Sequence, residues 1–221
     1  EQQRHGPGRA WDWGNQPISF RQSVWLRLVN VGPARRVQSD HLYGYPMCTV
    51  CGQTRSPFSS DEERRRFAET HYERCGKPVN DVGFYADVVA DTLTIRGCAT
   101  RKEGYSIAEA LRQGAARVLD MDVEDIQLLG IGRPGATEVD MLLYDPMPGG
   151  SGLLEQMIDR WADVVASAHE LVASCPSKCD VACIDCLLRF RNAFYHRHLD
   201  RYEATRRLES LGAVVKHTLS L

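Results

Sequence analysis

Residues 175–186 read CPSKCDVACIDC and place four of the chain's eight cysteines in one short window. The spacing is C-x3-C-x3-C-x2-C, in which the last pair forms a tight knuckle and the other two thiols sit one short loop away. Thiolates so placed can surround a single ion, and tetrahedral Zn2+ takes four such ligands at about 2.3 Å from each sulfur. A metal at Cys175, Cys179, Cys183 and Cys186 would fix irregular chain between two helices, where few apolar side chains are available to do so. The other uses of such a window are buried free thiols and disulfides, and the lack of a secretory leader disfavours the disulfides. A cysteine-held iron–sulfur cluster suits the same ligands. Cys179, Cys183 and Cys186 also match the C-x3-C-x2-C of radical enzymes that use S-adenosylmethionine, but too little chain follows for the barrel those enzymes need.

A second window, residues 47–77, reads MCTVCGQTRSPFSSDEERRRFAETHYERCGK. Cys48 and Cys51 make a knuckle in which Gly52 permits the sharp turn, and His71 and Cys75 lie four apart on one helix face. Three cysteines and one histidine suit a second zinc. The alternative is a helix-surface histidine beside a lone buried thiol. Cys98 follows a strand with no partner nearby and is expected in the core.

Around these windows the chain is 221 residues long and 43% hydrophobic, enough to bury a core without disulfides. Its formal net charge is −2, from 27 Lys and Arg against 29 Asp and Glu, so any charged binding face must be local. No apolar run approaches the roughly 18 residues needed to span a bilayer, and a cytoplasmic protein without membrane contact is expected. The sequence begins at Glu1 rather than Met and is read as a piece of something larger. Lys77, Lys102, Lys178 and Lys216 are followed by Pro, Glu, Cys and His, so no G-x4-G-K-[ST] phosphate loop is present and no ATP-driven motor is expected in this chain.

The pattern predicts an α+β fold, a small mixed sheet with packed helices, in three parts. Residues 1–17 look flexible, 18–80 hold a strand and the three-cysteine, one-histidine knuckle, and 81–221 hold the four-cysteine domain. ISFRQSVWLRLVNV reads as a strand, FYADVVADTLTIRG as two short strands or one bent one, EVDMLLYD as a buried strand and AVVKHTL as a terminal strand. Ser60 with Glu63, and Ser106 with Glu109, have the spacing of capping boxes that start helices. Apolar residues at three- and four-residue spacing predict the longest helix over 152–173, with further helices over 184–195 and 199–211.

The loop YDPMPGGSG precedes that long helix. Gly149 and Gly150 can offer backbone N–H groups to an anion such as a DNA phosphate, or they can allow close packing that only glycine permits. Asp145 beside them could serve as a general base, which keeps a metal- or Asp145-dependent nuclease or hydrolase as the alternative; no His or Ser completes a triad, and no catalytic residue is assigned. Residues 187–221 carry seven Lys and Arg against three Asp and Glu, interleaved with aromatics. Arg189, Arg191 and Arg197 can pair phosphates while the rings stack on bases, or the arginines can balance the charge of a four-thiolate zinc.

Three stretches, YSIAEALRQGAARVLDMDVEDIQ (105–127), MLLYDPMPGGSGLLEQM (141–157) and CLLRFRNAFYHRHLDRYEATRRL (186–208), carry a family resemblance. Together with the four cysteines they resemble the C-terminal zinc-binding domain (MZB) of MrfA-type DNA-repair helicases, which is similar to a domain of helicase-associated phage-defence proteins. The likeness covers about residues 84–212. It implies a non-motor module whose four cysteines hold a structural zinc, working with helicase motor domains in the same or a partner chain, and with DNA. The earlier cysteine window looks like the knuckle that precedes this domain in longer members.

Overall fold

A computed structural model describes residues 8–37, 40–132, 135–212 and 215–220. In chain order the strands and helices are β1 (Gly8–Trp13), β2 (Gln16–Asn30), β3 (Arg35–Val37), β4 (Asp40–Leu42), β5 (Tyr45–Met47), α1 (Asp61–Cys75), β6 (Asn80–Val82) and β7 (Phe84–Cys98). Then follow α2 (Arg101–Leu119), β8 (Gln127–Gly132), β9 (Val139–Asp145), α3 (Leu153–Asp159), α4 (Trp161–Ala173), a 3-10 helix (Phe190–His198), α5 (Arg201–Leu211) and β10 (Val215–Ser220). The α+β expectation holds.

The chain packs as two compact units, one from residues up to Leu26 together with Val89–Leu221, the other Arg27–Val88. The boundaries fall inside β2 and β7 rather than at residues 17/18 and 80/81, because each of these 15-residue strands runs through both units.

The larger unit is built on a sheet of order β10-β1-β2-β7-β9-β8. β1 pairs antiparallel with β2 and β10, and β9 pairs antiparallel with β7 and β8. The expected flexible N-terminus is corrected here for residues 8–17, while 1–7 lie outside the described residues. Trp11 and Trp13 alternate into the core, and the Trp13 indole N–H donates to the Gly212 carbonyl at 2.7 Å. Burying two tryptophans outweighs the looseness that the flanking glycines suggest.

α2, the longest helix, carries the centre of the core. Ile107, Ala108, Ala110, Leu111 and Ala115 are fully buried along it. A Cβ on Gly114 would lie 2.8 Å from the Ala168 nitrogen and the Val164 carbonyl, so α4 crosses α2 at a distance only glycine allows. α2 does not start at Ser106. Thr100 caps it, accepting from the Glu103 N–H at 3.1 Å, while Ser106 and Glu109 are wholly buried and used for docking, as described below.

The helix expected over 152–173 is broken at Arg160, whose backbone leaves helical geometry. The Arg160 guanidinium caps α2 by donating to the Val118 carbonyl at 2.7 Å. The break turns Trp161 into the core, edge-on to Trp13 at 5.1 Å. The helix expected over 184–195 is a 3-10 helix over Phe190–His198, because its anchors Asn192, Tyr195 and His198 recur every third residue. The last helix begins at Arg201, capped by Asp200, and the terminal strand is present as β10.

The smaller unit pairs β3 with β4 and β5 with β6 and also holds α1. The capping box is present as read: Ser60 and Glu63 each bond the other's backbone N–H, at 3.3 and 2.8 Å. Among the described residues no helix is long and apolar enough to cross a membrane.

Candidate metal centres

The segment after α4 brings Cys175, Cys179, Cys183 and Cys186 together with their ligand atoms all within 4.8 Å of one another. Four pairs of sulfurs are separated by 3.8 Å (175–179), 3.5 Å (175–183), 3.7 Å (179–186) and 3.8 Å (183–186). Sulfurs at about 2.3 Å from one tetrahedral ion stand about 3.8 Å apart, so the cage fits zinc, and the sulfurs are too far apart for disulfides. Backbone turns set this geometry. The Lys178 N–H bonds the Cys175 carbonyl with Lys178 in left-handed conformation, φ 47°. The N–H groups of Cys186 and Leu188 both bond the Cys183 carbonyl, closing the C-x2-C knuckle.

The thiols differ in acidity. Burial raises the Cys175 thiol, but the Cys179 N–H and the Cys183 thiol hydrogen-bond its sulfur and bring it down to about 7. Burial and the neighbouring thiols push Cys179 up to about 12, and burial also raises Cys186. Crowded thiols resist a second ionisation, which a bound dication would relieve.

Two arginines brace the cage. Arg201, 6% exposed, donates from Nε to the Cys179 carbonyl at 2.7 Å and from Nη1 to the Val172 carbonyl at 3.0 Å. Arg189 donates from Nη1 to the carbonyls of Ile184 (2.6 Å) and Leu188 (3.0 Å). Arg189, expected to face phosphates, is thus engaged with the cluster's own backbone. The bracing role of Arg201 is not legible in the sequence, since its partners lie 22 and 29 residues upstream.

A buried network docks the 3-10 helix that follows. Glu109 accepts from Arg112 (Nε and Nη2, both 3.1 Å), Gln113 Nε2 (2.8 Å) and the Tyr195 hydroxyl (2.7 Å). Burial and the Glu109 carboxylate both push the Tyr195 phenol up, so it stays a donor. Ser106 donates to the His198 carbonyl and accepts from the Asp200 N–H. Tyr105 stacks on both Tyr195 and His198. Sequence reading takes Ser106 and Glu109 for a cap; the signal it lacks is their full burial.

With the inner face so anchored, Arg191, Phe194 and Arg197 lie on another face of the three-residue turn, all exposed. Arg197 hydrogen-bonds the His198 ring at 3.1 Å.

In the smaller unit Cys48, Cys51, His71 and Cys75 also have ligand atoms within 4.8 Å of one another. Gly52, at φ 76°, closes the knuckle with its N–H on the Cys48 carbonyl at 2.8 Å. His71 and Cys75 sit one turn apart on α1, with His71 Nε2 3.1 Å from Cys51 Sγ. The Cys51 N–H lowers the Cys48 thiol, whereas burial raises Cys75. The donor set and spacing fit a second zinc. Cys98 is buried in the core, its thiol pushed up to about 12 by burial.

The YDPMPGGSG loop is held from within. Asp145, 1% exposed, accepts from the Met147 N–H at 2.9 Å and from the N–H and hydroxyl of Ser151. A Cβ on Gly150, which lies at φ 76°, would meet the Asp91 carboxylate at 2.6 Å, so close packing accounts for that glycine. Gly149 has φ 88°, and Gly152 caps α3 with no side-chain bond.

These features define a zinc-binding domain of the four-cysteine class. Residues 107–187 match the family model MZB, the MrfA Zn-binding domain. The match takes in all four cysteines of the C-terminal cage and ends before the 3-10 helix and α5. Over 103 residues the chain is 32% identical to Druantia protein DruE of Escherichia coli (strain UMEA 4076-1), covering 44% of this chain and 6% of that protein. The DUF1998 helicase MrfA bound to DNA is similar with a TM-score of 0.45 and 14% identity, over 88% of this chain and 26% of that one. A further crystal structure of DUF1998 helicase MrfA gives 0.43 and 14%, over 96% and 24%. The chain therefore spans about a quarter or less of these relatives.

Proposed function

We propose that this chain is the zinc-stabilised, non-motor module of an ATP-dependent DNA helicase or helicase-associated protein, acting in the cytoplasm in DNA repair or phage defence. Cys175, Cys179, Cys183 and Cys186 hold one zinc; Cys48, Cys51, His71 and Cys75 hold the other. The zinc supplies a rigid cross-link and no chemistry. Its function is to fix the segment from which the 3-10 helix emerges, and that helix meets nucleic acid.

The observation that carries this reading is the exposed Arg191–Phe194–Arg197 face beside a cage of MZB type. Guanidinium groups above and below an aromatic ring can pair phosphates while the ring stacks on a base. Arg189 belongs to the cage wall and Gly150 packs against Asp91, so the contact is assigned to the exposed Arg191 and Arg197. The motor is placed in the remainder of the same protein or in a partner chain.

Titration of fluorescent DNA with the zinc-loaded chain tests this. Binding should weaken with rising salt, and R191E/R197E should abolish it with zinc content unchanged. Salt-independent binding, or full binding by the double variant, would refute the assignment. DNA cleavage abolished by Asp145→Ala would favour a nuclease instead.

A further inference from the structure

Next to the 3-10 helix lies a cleft of about 330 Å3, lined by Arg191 and Phe194 of that helix together with Glu124, Gln127, Leu128 and the buried Arg112. That volume sits at the lower bound of small-ligand sites, about 300 Å3. Resting on the nucleic-acid reading above, we propose that this cleft receives one unstacked base of single-stranded DNA, with guanine preferred.

Phe194 is 72% exposed and stands edge-on to Tyr195 at 4.7 Å, which holds its ring at the cleft mouth while leaving a face open. Such a ring is a stacking platform for a base. Arg191 and Arg197, one turn of 3-10 helix to either side, are spaced to take the flanking phosphates.

The polar groups of the cleft decide which base fits. The Arg112 guanidinium is committed, bonding Glu109 twice and the Ile126 carbonyl at 3.0 Å. The Gln127 amide N–H donates to the Glu124 carbonyl, which leaves its side-chain oxygen as an acceptor. The Glu124 carboxylate makes no hydrogen bond or ion pair among the described residues, although its backbone N–H bonds Asp122. The cleft thus offers the Glu124 carboxylate and the Gln127 side-chain oxygen as acceptors, beside the second Gln127 amide N–H and Arg191 at its rim. Guanine presents N1–H and N2–H side by side, which a carboxylate can take together. Thymine presents one N–H flanked by two carbonyls, which face the same carboxylate unfavourably. Duplex DNA, with its base edges paired and stacked, does not enter.

The test uses the zinc-loaded chain and a labelled oligothymidylate bearing one central guanine, thymine or abasic site, with zinc content checked for every variant. The guanine strand should bind about tenfold more tightly than the abasic one. F194A should remove that difference, F194W should keep it, and E124Q should bind both strands but lose the guanine-over-thymine preference, about tenfold in the parent chain. Equal binding of the guanine and abasic strands, or of duplex and single strand, would overturn the cleft. If F194A and E124Q change nothing while R191E/R197E still weakens binding, the cleft proposal fails and the nucleic-acid reading stands. No binding to any strand overturns both.

Discussion

The hydroxyl of Tyr195, in the segment after the cysteine cage, donates to the carboxylate of Glu109 in the middle of α2 at 2.7 Å, across 86 residues of sequence. Both residues are buried, and Glu109 is simultaneously the partner of Arg112. This contact ties the 3-10 helix to the core helix. Replacing Glu109 by alanine strands the Arg112 charge in the interior, which costs about 3–5 kcal/mol. Tyr195→Phe leaves the ion pair intact and removes one bond to a charged group, costing about 1.5–3 kcal/mol. Urea denaturation of the two variants should show that order.

Metal content separates the two cages. Cys183→Ser should lower zinc by one equivalent and leave the Cys48–Cys51–His71–Cys75 ion in place, and Cys51→Ser should do the reverse. Inductively coupled plasma mass spectrometry reads both. A brown protein with broad visible absorption would assign iron–sulfur in place of zinc. Chelation should speed amide exchange over 175–188 while α2 stays protected, because α2 is held by apolar packing rather than by the metal.

Arg201 supports the cage without touching a sulfur. Its two bonds hold the carbonyls of Cys179 and Val172. Arg201→Met should weaken zinc affinity about 10- to 100-fold, the range for outer-shell partners. Arg201→Lys should recover little, since one ammonium cannot match two donors in fixed fork geometry. Competition with a chromogenic chelator measures this.

Gly150 lies against the Asp91 carboxylate at a left-handed φ. Gly150→Ala forces a Cβ onto the Asp91 carboxylate and a left-handed φ on alanine, and should destabilise the fold by about 1–3 kcal/mol. Gly149→Ala meets nothing within 4 Å and bears only the φ penalty, so its thermal shift should be smaller.

His198 should confer acid sensitivity. Burial, with the charges of Arg197 and Arg101, lowers its pKa below the ordinary 6.5. The unfolded chain then takes up a proton that the folded chain refuses, so stability is intact above pH 6.5 and falls as pH drops from there toward the folded value. His198→Phe keeps the stack on Tyr105 and should flatten the loss in that window relative to the parent chain.

Taken alone, the sequence determined what depends on neighbours along the chain. The knuckles Cys48–Cys51 and Cys183–Cys186, the helical His71–Cys75 pair and the Ser60–Glu63 cap are short-range geometry, in which spacing dictates which atoms can meet. The family likeness was legible in the same way, from the loop at 144–152 and the cysteines after it. Tertiary structure decided which polar groups are consumed internally. Ser106 and Glu109 have the spacing of a cap, but burial under the 3-10 helix makes them its dock. Arg189, Arg191, Arg197 and Arg201 are one composition in sequence; the knuckle's own carbonyls claim Arg189, carbonyls 22 and 29 residues upstream claim Arg201, and a three-residue turn exposes the middle pair. A buried donor or acceptor must find a partner, and where that partner lies tens of residues away only the folded chain can show which side chains remain free for another molecule.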